Sequence, residues 1–303
     1  MDAITHILTG YAIGNLLAFN IYELMVCIIA SAAMDLDIFI PRFFKYHRDF
    51  THSFLFAFIL SISLAGFSLI YHQAFLRIFS LALLCSSSHV LLDFSTTWGV
   101  PLLYPVKKQC SLELDTAVNP FLLIASLVLL VVMVISNSTL LSLSIFLLLM
   151  FYLSMRAISR YIVARKLDKN GEFAFIPTYS PFTWKVLHGW SNGQRYIQKT
   201  GFVCIFQSRY IELNTRAFPY SPFEIGRVAI APPLESERSA ILYSSSIEPV
   251  KSFTSKFKYT NAIAKLENGM WRVTWVSMEI GLQIELLISR EGELVKISSS
   301  WQR

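Results

Sequence analysis

The chain has 303 residues, of which 54% are hydrophobic and only 15% charged, and it carries a formal net charge of +6. Soluble domains average about 25% charged residues, so this composition, with a mean hydropathy of +0.51, excludes a single ordinary soluble domain. The positive charge is modest and spread over both halves without a clustered basic face; nucleic acid is therefore not an expected partner, and the charge reads as affinity for anionic lipid or as a topology signal.

Polarity divides the chain. Residues 1–166 hold ten Lys/Arg and eight Asp/Glu, whereas 167–303 hold sixteen and twelve. The expected organisation is a membrane-embedded helical domain over 1–166 and a soluble domain over 167–303. The four cysteines, Cys27, Cys85, Cys110 and Cys204, have no C-x-x-C spacing, which argues against a disulfide framework and against a zinc–thiolate site.

Six apolar runs are read along the first half, at roughly 3–19, 21–40, 54–71, 74–92, 120–136 and 138–155. A span needs about 20 apolar residues; the third and fourth runs fit well, the second is adequate, and the others are short. The first carries Thr5, His6, Thr9, Gly10, Gly14 and Asn15, which predicts that one side of it faces protein. Met1-Asp2-Ala3 lacks a basic region and no small-residue cleavage site precedes Glu23, so the run is expected to stay on the protein rather than act as a signal peptide. Glu23 itself reads as a water-boundary residue.

The ends of these runs carry the chemistry. Met1–His6, Asp35–Asp37, His47–Ser53 and His89–Asp93 contain four of the six histidines and five of the eight acids of the first 166 residues. Such groups cost several kcal/mol in apolar surroundings unless they are paired or ligated, and histidine with carboxylate is a ligand set for divalent metals. Each segment also has a bland reading. Asp35-Leu36-Asp37, with both carboxylates facing one way if extended, can simply end a helix before Pro41. His47, Arg48, Asp49, Thr51 and His52 make an ordinary basic turn. His89 and Asp93, at i and i+4 on one helix face, can cap a C-terminus before Ser95, Thr96 and Thr97. Four such segments together make a metal centre the stronger reading. Asp115 reads as a further ligand, an outer acceptor, or a cap for the helix starting near Pro120. His72 reads as interfacial, and His188, between Trp184 and Trp190, as structural.

Loop charge predicts orientation. The links near 20 and 137 have no Lys or Arg, while Arg42, Lys45 and Arg48, then Lys107 and Lys108, then Arg156, Arg160, Arg165 and Lys166 fall on one side of a six-span arrangement. That side is cytoplasmic by the positive-inside rule, which places both termini and the His/Asp segments there; a four-span arrangement with a re-entrant first pair keeps most of them together.

The second half reads as a small α+β domain with an antiparallel sheet. Residues 194–213 alternate as two strands around Thr200-Gly201, Ala262–Ile280 as a hairpin turning at Asn268-Gly269, and Leu282–Ile297 as one turning near Glu291-Gly292. Pro232–Tyr243 and Glu248–Tyr259 read as helical. No motif of catalytic spacing occurs there.

The ordered set M-D-x-x-T-H, D-L-D, H-R-x-x-T-H-S and S-H-x-x-x-D-x-x-T-x-x-G, here Met1–His6, Asp35–Asp37, His47–Ser53 and Ser88–Gly99, followed by Pro101, Pro105 and Asp115, resembles the bacterial membrane-bound metal-dependent hydrolase family, also called YdjM-like. Ile176-Pro-Thr-Tyr-Ser-Pro-Phe-Thr-Trp184-Lys-Val resembles a segment of one branch of that family. The resemblance covers roughly 1–200. It implies an inner-membrane location and, through the family's similarity to the helical zinc phospholipase C and P1 nuclease group, a phosphoester substrate. Two positions depart from the family pattern: Asp49 stands where Gly is usual after His-Arg, and Asn119 where Asp precedes Pro. A carbonyl binds a cation more weakly than a carboxylate, so the second departure puts one metal position in doubt.

The leading expectation is hydrolysis of a lipid-borne or amphiphilic phosphoester at a divalent ion, most simply zinc. His6, Asp35, His52, His89 and Asp93 are the expected ligands. Asp37 and His47 are expected as outer partner or general base, and Arg48 as the phosphate-neutralising cation. A non-enzymatic membrane protein with a structural metal or proton-relay site is the alternative. A transporter is disfavoured, because polar residues within the runs are too few to line a path.

Overall fold

The computed structural model describes residues 1–39, 50–106, 109–116, 118–167, 172–191, 196–206, 210–220, 225, 230–256, 260–278 and 282–301. His47, Arg48 and Asp49 lie outside these residues. The chain forms two compact units, one of Met1–Leu167 with Pro177–Trp184 and Cys204–Ser208, the other of Asp168–Ile176, Lys185–Val203 and Arg209–Arg303.

The first unit is helical. Its helices are α1 (Ala3–Leu17), α2 (Ile21–Ala32), α3 (Phe54–Ser68), α4 (Phe75–Phe94), α5 (Pro120–Ser136) and α6 (Thr139–Lys166). All but α4, which begins after Ala74 without a side-chain cap, start from a local signal where the orphan amides of a first turn need acceptors. Asp2 accepts from Thr5 N, Asn20 from Glu23 N, Ser53 from Phe56 N and Ser138 from Leu141 N. Asn119 caps α5 with Pro120 in its first turn. All six apolar runs become helical, but three stretches, Phe54–Tyr71, Phe75–Phe94 and Thr139–Lys166, are long and apolar enough to cross a membrane. Helices α1 and α5 are apolar but shorter, and α2 ends after 12 residues and passes into a 3-10 helix, Ala33–Phe39.

Small residues bring α1 onto α2. A Cβ on Gly10 would lie 2.6 Å from Ser31 Cβ, and one on Gly14 2.7 Å from Leu24 Cδ1, so any larger residue would push the helices apart. Ile13, Val26, Cys27, Ala30, Ala65, Ile78, Leu81, Ala82 and Cys85 then form a core shared by α1, α2, α3 and α4. Glu23 is not a water-boundary residue. It is buried, and Arg77, at the start of α4, donates Nε to its Oε1 at 2.7 Å and Nη2 to its Oε2 at 3.0 Å; a bidentate pair of this kind is the form in which a carboxylate tolerates burial.

The long helix α6 holds the 177–184 segment. Arg156 donates Nε to Leu114 O at 2.6 Å and Nη1 to Ser180 O at 2.7 Å, its guanidinium lies 4.7 Å from the Trp184 ring centroid, and Trp184 Nε1 donates to Ser159 Oγ at 2.8 Å. The Pro-Thr-…-Phe-x-Trp motif is thus a packing anchor on one face of α6.

The second half contains two four-stranded antiparallel sheets rather than one. Strands β1 (Glu172–Pro177), β2 (Thr183–Ser191), β3 (Tyr196–Cys204) and β4 (Ile211–Phe218) make the first, and β5 (Thr260–Glu267), β6 (Met270–Ser277), β7 (Leu282–Ser289) and β8 (Leu294–Trp301) the second. Thr200-Gly201 is not a turn. Strand β3 runs through it with a register shift, and a Cβ on Gly201 would lie 2.5 Å from Ile211 O, so the glycine admits a close strand approach at a bulge. Asn268-Gly269 does turn β5 into β6, with φ of +52° and +78° as a two-residue hairpin requires. The β7–β8 turn uses Gly292 at φ +85°. Helix α7 (Glu237–Ser244) begins at Ser236, later than Pro232, and α8 (Glu248–Lys256) follows. Trp271 and Trp275 fill the covered face of the second sheet, donating to Leu234 O and Ser244 Oγ.

Candidate metal centre

Four side chains from three elements converge at one end of the helical unit. His6 comes from the first turns of α1, Asp35 from the 3-10 helix after α2, and His89 and Asp93 from the last turns of α4. One donor atom from each lies within 4.8 Å of all the others, and all four residues are buried. His89 Nε2 is 3.4 Å from Asp93 Oδ2 and 3.7 Å from Asp35 Oδ1; His6 Nε2 is 3.4 Å from Asp93 Oδ1. The His6 and His89 rings stack at 3.6 Å between centroids. The Met1 amino group also hydrogen-bonds Asp93.

The helix ends position these groups. Asp2 caps α1 through the amide and hydroxyl of Thr5 at 2.9 and 2.8 Å, and Thr5 Oγ1 also contacts Ser126 Oγ of α5 at 2.9 Å. That fixes the turn carrying His6, whose carbonyl accepts from Ser31 Oγ at 2.7 Å. Asp35 and Asp37 do not share a direction, because their segment is a 3-10 helix and not extended. Asp35 faces the cluster, and Asp37 accepts from Thr51 Oγ1 at 2.6 Å.

His52 reaches the cluster from the 3-10 turn Phe50–His52, with Nε2 at 3.3 Å from both Asp35 Oδ1 and Asp93 Oδ2. It lies beside the four-residue group rather than within it.

Hydrogen bonds fix the tautomers of two rings. His89 Nδ1 lies 2.7 Å from Ser31 O. A carbonyl only accepts, so Nδ1 carries the proton and Nε2 of the neutral ring turns a lone pair toward the carboxylates. Thr51 gives its single hydroxyl proton to Asp37 and therefore accepts, at 3.0 Å, from His52 Nδ1. His52 Nε2 lies within hydrogen-bond distance of Asp35 Oδ1, at 3.3 Å. His6 Nδ1 and Nε2, His89 Nε2 and Asp35 Oδ2 are buried without a hydrogen-bond partner among the described residues. Leaving one such group unsatisfied costs about 1–3 kcal/mol. A cation or shared protons among these atoms removes that cost, and the donor set, imidazole nitrogen with carboxylate oxygen, suits a divalent transition metal. Ring nitrogens held from behind by a carbonyl or a hydroxyl–carboxylate relay are the usual backing of metal-ligating histidine.

The remaining candidates fall elsewhere. Asp115 is not in the cluster; it accepts from Tyr152 OH at 2.7 Å, Thr116 N at 2.8 Å and Asn119 Nδ2 at 3.2 Å, with Arg156 Nη2 at 3.8 Å. Asn119 is the cap of α5, its Oδ1 accepting from Phe121 N and Leu122 N. His188 stacks on Phe173 at 4.3 Å and leans on Trp190. His72 is exposed at the opposite end of α4. Sequence reasoning missed Ser31 and Thr51. Thr51 stands inside the T-H-S motif, which could have flagged it; a serine acting through its backbone carbonyl leaves no such signal.

A family model described as YdjM inner membrane protein matches residues 1–163, which contain the whole cluster. No curated protein and no solved structure matches the chain.

Proposed function

From the premise that the chain belongs to the YdjM inner membrane protein family, we propose that it is a metal-dependent hydrolase acting on a lipid-borne or amphiphilic phosphoester. The observation that carries the metal is the convergence of buried ligand-type atoms from His6, Asp35, His89 and Asp93. These four, with His52, would hold the ion. When bound, a divalent ion such as zinc lowers the pKa of a coordinated water toward 7 and polarises a phosphoryl oxygen. Asp37 acts through Thr51 to orient the His52 ring at Nδ1, so it is a positioning residue. His47 and Arg48 retain the roles of proton acceptor and phosphate-binding cation in this proposal. Residues 1–166 form the membrane domain in this reading, with multiple spans and both termini cytoplasmic, and 167–303 a cytoplasmic domain.

One observation favours a second reading, a structural metal without turnover: all four donors are nearly inaccessible, from 0% to 6% exposed. A single experiment separates the two. Purified protein is analysed for metal and then offered phospholipids and isoprenoid phosphates. Metal-dependent release of phosphate or head group, lost on chelation and in Asp93→Ala, supports hydrolysis; stoichiometric metal with no turnover supports the structural role. Topology is tested separately. Externally added thiol reagent should label Asn137→Cys and spare Asn268→Cys, and the reverse pattern removes the proposed orientation.

A further inference from the structure

The C-terminal unit holds a cavity of about 490 Å³ between β2, β3 and β4 of one sheet and β5 and β6 of the other, a volume within the range of small-molecule sites. Beside it the sheets are pinned together: Asn261 Nδ2 donates to Gln198 Oε1 at 2.8 Å, and both residues are buried. Two cations line the cavity, Lys185 and Arg216, and no carboxylate does among the described residues. The Lys185 ammonium donates to one neutral group, Met278 O at 2.8 Å, and burial pushes its pKa down. The Arg216 guanidinium has no hydrogen bond or ion pair among the described residues. Lys199, on the neighbouring position of β3, is by contrast paired with Glu212 at 3.0 Å. A part-buried lysine beside an exposed arginine, with no carboxylate in the lining, leaves a positive potential that an anion relieves. The rest of the lining is mixed, with Phe202, Ile263 and Val276 among its apolar members and Gln198, Thr200 and Asn261 among its polar ones.

We propose that this cavity binds a small anionic amphiphile, with a phosphate or carboxylate head at Lys185 and Arg216 and a short apolar body against Phe202, Ile263 and Val276. The site is independent of the metal centre, because every residue lining it belongs to the second unit. It gives the C-terminal domain a sensing or capture role whether or not the helical unit is an enzyme.

The test is calorimetric titration of the full chain in nanodiscs of zwitterionic lipid, with hexyl phosphate, inorganic phosphate and hexanol as probes. Hexyl phosphate should bind at least about tenfold more tightly than either half-ligand. Lys185→Met and Arg216→Gln should each weaken it by about tenfold. Thr200→Trp fills the cavity while keeping both cations and should abolish binding. Inorganic phosphate binding as tightly as hexyl phosphate would remove the apolar subsite, and hexanol doing so would remove the anion site. Full affinity in folded Thr200→Trp, or in Arg216→Gln together with Lys185→Met, would overturn the proposal. Competition from phosphatidic acid placed in the nanodisc would identify a bilayer ligand; hexyl phosphate binding without that competition would identify a soluble one.

Discussion

At the end of the helical unit where α2 and α4 begin, Glu23 and Arg77 satisfy each other. The guanidinium fork meets both carboxylate oxygens, and the remaining Nη2 proton and Glu23 Oε2 capacity go to Leu17 O and Phe19 N. At the opposite end the same two helices and the turn after α2 bring together Asp35, His89 and Asp93, joined by His6 and His52, and there His6 Nδ1 and Nε2, His89 Nε2 and Asp35 Oδ2 have no hydrogen-bond partner among the described residues. Both ends hold ionisable groups, with Arg77 a third exposed at the first and His6, His89 and Asp93 wholly buried at the second. The difference lies in stoichiometry of donors and acceptors. Among the described residues the first end is fully paired and reads as a clamp, whereas the second leaves His6, His89 Nε2 and Asp35 Oδ2 without hydrogen-bond partners, which marks it as the end with chemistry.

The sharpest way to break this contrast is to remove the hub of the incomplete end. Asp93 lies within 3.4 Å of His6, His52 and His89, so Asp93→Ala should lower bound divalent metal, measured by elemental analysis after exposure to zinc, to below about a tenth of the wild-type content. His89→Ala should act similarly, with membrane insertion intact for both. Full metal retention in both variants, or a wild type that takes up none, would remove the metal centre. A smaller effect sharpens the account of how the donors are aimed. Thr51→Val deletes the relay from Asp37 to His52 Nδ1 and should weaken metal affinity by about 10–100-fold without lowering the amount bound at saturation. Thr51→Ser keeps the hydroxyl and should restore it. Equal affinity in Thr51→Val would mean that the His52 tautomer is set by something else.

Much of the candidate centre was legible in the chain because its residue types are expensive where they stand. His6, Asp35, His89 and Asp93 were visible as polar groups at the ends of apolar runs, and the i, i+4 spacing of His89 and Asp93 alone fixes their shared face. The direction of Asp37 was not legible. A 3-10 helix and an extended segment place residues i and i+2 differently, and Pro41 excludes only a continued regular helix. Glu23 was misread because its partner, Arg77, stands 54 residues away, a pairing that no local pattern encodes. In the second half the turns with positive φ, Asn268-Gly269 and Gly292, were readable from residue type. Thr200-Gly201 was not, since a glycine serves a bulge as readily as a turn. Strands β1 and β2 carry no clear two-residue alternation, and their segment was noticed only for its Pro-Thr-…-Trp motif.

Breaking the complete end should cost stability and nothing else. Glu23→Ala leaves the part-exposed Arg77 guanidinium without its carboxylate, and should lower the thermal transition of the detergent-solubilised protein by roughly 2–4 °C while leaving metal content at the wild-type level. Loss of metal in that variant would show that the two ends of α2 and α4 communicate, and the division into clamp and chemistry would fail.

The smallest expected effect is at His72, which shares that far end and tests whether histidine alone, wherever it stands, contributes to metal uptake. His72 closes the 3-10 turn Leu69–Tyr71 in the left-handed conformation at φ +54°, its amide donating to Leu69 O at 3.1 Å, with its side chain exposed. A side chain there opposes the backbone rather than serving it. His72→Gly removes the steric cost of that conformation and returns part of the gain as extra freedom of the unfolded chain. The net change in stability should therefore stay within about 1 kcal/mol. Bound zinc should be identical to wild type, by the same elemental analysis that registers the loss in Asp93→Ala. A fall in metal content in His72→Gly would place a ligand at the wrong end of the helices, and the contrast between their two ends would no longer stand.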